Sequence, residues 1–375
     1  MNKKDVAQIK RRLNPEKSGI TCIRGYYVNG QGEAVAQFCR SLVEMGKEEA
    51  EKYLAIFRRT LSGVEGQNLL DMDFSPEQVM ESEEHGLLMR LRADALRDDA
   101  DAEAFFRRVI AALPPEEHYL ILLMHDGMDI PYRGSDENSA EDMGSEVFHY
   151  ILCSVCPVKL NKPALTYDAG VNDFRSKEAD WIVGPPEMGF AFPAYEERAA
   201  NIYHALYYTR DTADPHEDFV SAVFGREPLM PAAMQKEAFQ AVLSDALRED
   251  CSYEVMQAVH DQVMERMEEQ KENKQAEMPR ITKYDVKDVL EECGVAQEKV
   301  AAFEEKYDAQ FGSQAALSAV NVSSPKQFEV RTPSVVIKVN SARSDLVETR
   351  LIDGHAYILI RADEGVEVNG VNVSI

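Results

Sequence analysis

His125, Asp126 and Asp129 sit together in the segment HDGMD, directly after an apolar run. Imidazole and carboxylates at the end of a strand are where α/β enzymes place metal ligands and acid–base groups. Asp168 ends another strand-like segment, PALTYD, with Asp173 close behind. If His125, Asp126, Asp129 and Asp168 converge, the oxygen-rich set suits Mg²⁺ or Mn²⁺ and a divalent-metal hydrolase follows. The plainer alternative is that they cap and turn the chain, since Asp and Gly are turn formers. Cys153 and Cys156 have CxxC spacing. A redox pair belongs at a helix N-terminus, and a structural zinc needs two further ligands of suitable spacing. Here the pair lies inside an apolar strand, which points to buried, inert thiols and opposite side-chain directions. The segment GFAFPAYEER carries Phe190, Phe192, Tyr195, Glu196, Glu197 and Arg198 on a proline-fixed backbone. It is expected to present an exposed aromatic surface for a small molecule or a partner. The alternative is a packed loop with an internal Arg–carboxylate pair.

The elements that must position these residues follow from periodicity. Residues 2–13 predict a short basic amphipathic helix capped by Asn2. ITCIRGYYV and EAVAQF predict a hairpin turned at Asn29-Gly30. Residues 47–61 predict a helix, 68–74 a strand, and Ser75-Pro76-Glu77 starts further helices that end at Pro114-Pro115. HYLILLMHD and VFHYILCSVCPVKL are near-continuous apolar runs, as expected of central strands covered on both faces. The stretch 127–146 between them reads as a long acidic loop. WIVGPPEMGFAFPAYEER reads as irregular but packed, and residues 201–211 as a strand. Residues 231–248 and 253–275 predict two long helices. The second has a stripe of Val255, Met256, Val259, Val263 and Met267, which reads as core or a helix seam. EEQKENKQAE reads as a linker. Thr282 with Asp285 opens another helix, Gly294 stops it, and 297–310 forms the next. The remainder is a series of short strands, with a tight turn at Asn369-Gly370.

The fold class is therefore α+β. A mixed or antiparallel sheet domain with flanking helices spans 1–230, and a helical segment with linker spans 231–280. A helical hairpin leading into a small all-β module spans 281–375. The 375 residues carry 41 Lys and Arg against 66 Asp and Glu, a net charge of −25. Such a charge opposes loose binding to nucleic acid or anionic lipid. It is unevenly spread: residues 1–60 hold 12 basic and 7 acidic side chains, and residues 61–150 hold 6 and 21. The basic start (Lys3, Lys4, Lys10, Arg11, Arg12, Lys17) is the one segment, 3–17, through which nucleic acid could be touched. Otherwise it is a solvated face, or it meets the acidic block that follows. No apolar run is long enough to cross a membrane. The six cysteines are too sparse for a disulfide framework and are expected as thiols. No phosphate-binding glycine loop and no GxSxG elbow is present.

NKKDVAQIKRRLNPEKSGIT, YLILLMHDGMDIPY, ILCSVCPVKL, GFAFPAYEERAANIYHALYYTRD and FGREPLMPAAMQKEAF together resemble one bacterial family, domain of unknown function 4317, found mainly in Gram-positive Firmicutes. The resemblance covers nearly the whole chain. It implies an intracellular bacterial protein and carries over no activity, ligand or catalytic residue. The leading expectation is a cytoplasmic, non-catalytic binding protein that needs no cofactor. Its partner is another protein or a small molecule, and its oligomeric state is open. The metal hydrolase is the alternative. An acidic mimic that occupies a nucleic-acid-binding protein is the third.

Overall fold

The computed structural model describes all residues except 21, 131–145, 197, 227–229, 273–278, 314, 364, 369–370 and 374–375. It divides into two units, Met1–Pro231 and Ala232–Ile375.

In the first unit the order is α1 (Lys3–Arg12), β1 (Ile23–Val28), β2 (Ala34–Arg40), α2 (Lys47–Thr60), β3 (Leu69–Asp73), α3 (Pro76–Glu81), α4 (Glu83–Ala93), α5 (Asp99–Ala111), β4 (Tyr119–Ile130) and β5 (Glu146–Leu160). There follow β6 (Ala164–Asp168), β7 (Asp173–Lys177), β8 (Trp181–Val183), β9 (Met188–Phe192), β10 (Ala194–Glu196), β11 (Ala199–Asn201), β12 (His204–Thr209) and α6 (Glu217–Phe224). The main sheet runs β2-β1-β4-β5-β9-β12-β3, with β8 also on β5. Its pairings are antiparallel.

Both faces of the sheet are covered, which explains the uninterrupted apolar runs of β4 and β5. Ile121, Leu123, Ile151, Cys153 and Val155 pack with α4, α5 and α6 through Leu88, Leu91, Phe105, Phe106 and Phe224. Their strand neighbours Leu122, Met124, Tyr150, Leu152 and Cys156 pack on the other face with Val6, Ile9, Leu54 and Phe57 of α1 and α2. Helix starts follow the capping residues: Asn2 accepts from the N–H groups of Lys4 and Asp5, and Ser75 from that of Gln78.

Several expectations are corrected. The segment read as irregular contains β9, a fully buried strand between β5 and β12. Burial on both faces removes the alternation by which a strand is recognised. The acidic loop is shorter than expected, because Gly127–Ile130 belongs to β4 and Glu146 to β5; residues 131–145 lie outside the described residues. The β1–β2 turn is longer than an Asn-Gly hairpin, and Gly32, at φ 75°, takes the left-handed position. Cys22 and Cys39 are not thiols but a disulfide with Cα atoms 6.1 Å apart. The register, which sets Arg24 opposite Cys39, brings them together, and composition carries no trace of it.

The second unit contains α7 (Ala232–Leu247), α8 (Tyr253–Glu272), β13 (Arg280–Thr282), α9 (Lys283–Glu292), α10 (Gln297–Phe311), β14 (Ala316–Ser318) and α11 (Ala319–Val322). The Thr282–Asp285 capping box is formed, and Gly294 is left-handed after α9. Phe239, Leu243, Val259, Val263, Leu290, Phe303 and Tyr307 share one core. Helices on both sides of the linker stretch 268–277 thus form a single body; residues 273–278 themselves lie outside the described residues. The C-terminal strands β15 (Gln327–Arg331), β16 (Val336–Asn340), β17 (Val347–Ile352), β18 (His355–Ile360), β19 (Val366–Val368) and β20 (Val371–Val373) pair as three separate two-stranded ladders. The turn at Asn369-Gly370 lies outside the described residues.

Candidate functional site

Asp126 and its neighbours occupy the interior of the first unit. Asp126 is fully buried on β4, opposite Tyr150 of β5. Its Oδ1 accepts from the backbone N–H of Gly19 (2.8 Å) and of Gly127 (2.9 Å). Its Oδ2 accepts from the Tyr150 hydroxyl (3.0 Å) and from Arg12 Nε (3.2 Å). Arg12 also donates to the Gly127 carbonyl at 2.6 Å. A Cβ on Gly19 would stand 2.8 Å from Asp126 Oδ1, so only glycine lets the chain approach this closely. Burial and the adjacent Asp126 carboxylate hold the Tyr150 hydroxyl well above its usual pKa. The cluster is a satisfied buried ion pair that fastens the end of α1 to the sheet. It is one place where the basic start meets the acidic block.

His125 is next to Asp126 in the same strand and so points to the other face. It stacks on His149, with Nε2 3.3 Å from His149 Nδ1. Asp129 is exposed farther along β4. Asp168 lies on the separate β6–β7 hairpin, paired with Arg175 at 3.0 Å and accepting the Gly170 N–H. Asp173 stands opposite it in register. Among the described residues, no three His, Cys, Asp or Glu side chains converge to hold a metal ion. Cys153 and Cys156 are buried in opposite cores of the sheet. Burial raises both thiols, that of Cys156 to about 12.

Burial, reinforced by His149, pushes His125 down to about 4 from its ordinary 6.5. The unfolded chain therefore takes up this proton first as pH falls. The stability tied to neutral His125 is complete above pH 6.5 and lost progressively toward pH 4. At about 1.4 kcal/mol per unit the loss reaches about 3 kcal/mol. Urea unfolding of wild type and His125→Leu across this range checks it: the variant should lose much of the slope. An identical slope in both would assign the pH dependence elsewhere.

The aromatic surface expected around Phe190, Phe192 and Tyr195 is not formed, because all three are at most 1% exposed. Phe190 and Phe192 fill one core and Tyr195 the other. Glu196 accepts from Asn201 Nδ2 (2.6 Å) and lies 3.1 Å from His204 Nδ1. Arg198 takes a left-handed backbone, φ 67°, at the turn between β10 and β11. Glu197 lies outside the described residues. The segment builds the sheet and its adjoining hairpin.

A half-open cleft lies in the second unit. It has a volume of about 620 Å³. Lys236, Phe239 and Gln240 of α7 form one wall, and Tyr253, Met256, Val259 and His260 of α8 the next. Ser323 and Ser324, after α11, and residues Gln327–Arg331 of β15 complete it. Phe239 and Val259 are core residues that give the cleft an apolar base. The stripe on α8 therefore has two duties: Val255, Val263 and Met267 pack the core, and Met256 faces the cleft.

His260 is 5% exposed and hydrogen-bonded at both ring nitrogens. Its Nε2 lies 3.4 Å from the Ser341 carbonyl and its Nδ1 2.6 Å from Ser323 Oγ. A carbonyl only accepts, so Nε2 carries the proton and Nδ1 accepts from the serine hydroxyl. Burial lowers the pKa of His260, which favours this neutral ring. Phe328 packs against it at 4.9 Å. Glu329 is paired with Arg331 and Lys338 at 2.8 and 3.3 Å. Lys236 makes no ion pair among the described residues. The His260–Ser323 cleft leaves little trace in the sequence. Its one local signal is a histidine on the apolar face of α8, next to Val259. Ser323 is joined to it only by the fold.

The family model described as domain of unknown function (DUF4317) matches residues 1–371. No curated protein matches the chain.

Proposed function

The chain belongs to the family described as domain of unknown function, DUF4317, and from that premise we propose that it is a binding protein whose ligand is a small amphipathic anion held in the cleft of the second unit. The observation that carries this is the cleft itself. Its volume of about 620 Å³ falls in the range of small-molecule sites, roughly 300–1,000 Å³. Its lining is mixed: Phe239 and Val259 give an apolar base, polar side chains from α7, α8 and β15 surround it, and one of them, the ammonium of Lys236, is without a carboxylate partner among the described residues. A ligand with a short apolar body and one negative group satisfies both features. No membrane surface or nucleic acid takes part in this reading.

Titration of the full chain with the fluorescent anion anilinonaphthalene sulfonate tests it. Wild type should show one saturable component. Met256→Trp, which fills the cleft, should abolish that component. Lys236→Glu should weaken it at least about tenfold, the equivalent of about 1.4 kcal/mol. Unchanged affinity in both variants would move the dye elsewhere, for example to exposed Leu165 and Phe174 of the first unit, and would end the proposal.

A further inference from the structure

We infer that Ser323 and His260 form a nucleophile–base pair that cleaves small carboxylic esters bound in this cleft. The inference rests on the cleft being a ligand site and adds a reaction to it. The geometry has three parts. Ser323 Oγ lies 2.6 Å from His260 Nδ1. The far nitrogen of the ring faces the Ser341 carbonyl, which fixes the tautomer with Nδ1 free to accept a proton. A nucleophile in hydrogen-bond reach of a base that a third group orients is the signature of an activated serine. Ser323 itself is half-buried on the cleft wall, so the hydroxyl is reachable from the side where a ligand would lie.

The surroundings fit an acyl group. Phe239, Met256 and Phe328 offer apolar surface for a short chain. The backbone N–H of Ser324, the residue after the nucleophile, donates to no group among the described residues. A backbone N–H at the residue after the nucleophile is one kind of donor that stabilises the oxyanion formed on the carbonyl oxygen in acyl transfer.

The step balances with water as the only co-reactant. Ser323 Oγ bonds to the ester carbonyl carbon as its proton passes to His260 Nδ1. The bond from that carbon to the alcohol oxygen then breaks, and the alcohol leaves with the proton from Nδ1. Water, deprotonated by the same nitrogen, attacks the acyl carbon. The bond from Ser323 Oγ to that carbon then breaks, the carboxylic acid departs, and the proton held on Nδ1 returns to Ser323 Oγ.

The test uses the full chain and p-nitrophenyl butyrate, read by nitrophenolate release and by mass spectrometry of the peptides. Wild type should release nitrophenolate and carry a butyryl group on Ser323. Ser323→Ala and His260→Gln should each lower release by about 100-fold or more, and Ser62→Ala, in the other unit, should not. Ser323→Ala should still bind anilinonaphthalene sulfonate, which shows that the cleft is intact. Release that survives Ser323→Ala, or an acyl group on another residue, overturns the inference. Dye binding without release removes the chemistry and leaves the binding reading standing. Loss of both in wild type removes the cleft as a site and the inference with it.

Discussion

Arg12→Ala lowers the unfolding free energy of the first unit by about 2–4 kcal/mol. Removing one partner of a buried pair leaves the other charge uncompensated, which costs more than the pair contributed. Asp126 is fully buried, while the Arg12 side chain retains 24% exposure, so the lower part of the range for such losses applies. Gly19, Gly127 and Tyr150 still donate to the carboxylate, and they keep the cost from rising further. The added variant Asp126→Asn removes the stranded charge, so the double variant should recover a substantial part of the loss. A double-mutant cycle in urea isolates the coupling. Trp181, the single tryptophan, belongs to this unit and reports its unfolding. Additive losses would mean that the two side chains do not act as a pair. The same contact should make α1 less protected from hydrogen exchange in Arg12→Ala than in wild type.

Gly189→Ala disrupts the centre of the sheet. A Cβ at this position would stand 2.3 Å from the Cys153 carbonyl oxygen and 2.7 Å from Thr60 Cγ2. The first obstacle is backbone of β5 and cannot swing aside. The second belongs to Thr60, whose hydroxyl is fixed 2.6 Å from that of Ser154. Relief requires moving α2 or parting β9 from β5, and overpacking of this kind costs about 3 kcal/mol or more. Stability of the whole unit is expected to be about 5–15 kcal/mol, so the variant should unfold at much lower urea or fail to accumulate. A midpoint equal to wild type would show that β9 does not lie against β5 in this register.

What the sequence reveals and what it hides follow from the range of each interaction. α2, α8 and α10 are visible because an apolar stripe repeats within the element itself. The caps at Asn2, Ser75 and Thr282 are visible because partner and cap are a few residues apart. β4 and β5 are visible as apolar runs because helices cover both faces. β9 is not, because five buried residues in a Gly- and Pro-rich stretch have no period to read. Phe190, Phe192 and Tyr195 read as a surface segment because proline and aromatics are common in binding loops. Their burial is decided by strands β5 and β12 and by the helices on both faces of the sheet, all outside the segment itself. His125 and Asp126 look like a pair in sequence, yet strand geometry sends them to opposite faces. His260 and Ser323 look unrelated, yet α8 and the end of α11 bring them to 2.6 Å. Adjacency in sequence misled in the first case, and distance in sequence concealed the second.

The cleft of the second unit is the central claim, and Met256 is its built-in reporter. Met256 lines the cleft, whereas Met80, 83% exposed, lies in the first unit. In a methyl spectrum of the methionine-labelled full chain, anilinonaphthalene sulfonate should shift the Met256 resonance to saturation and leave Met80 in place. A Met256 resonance that stays fixed while the dye binds would contradict the account.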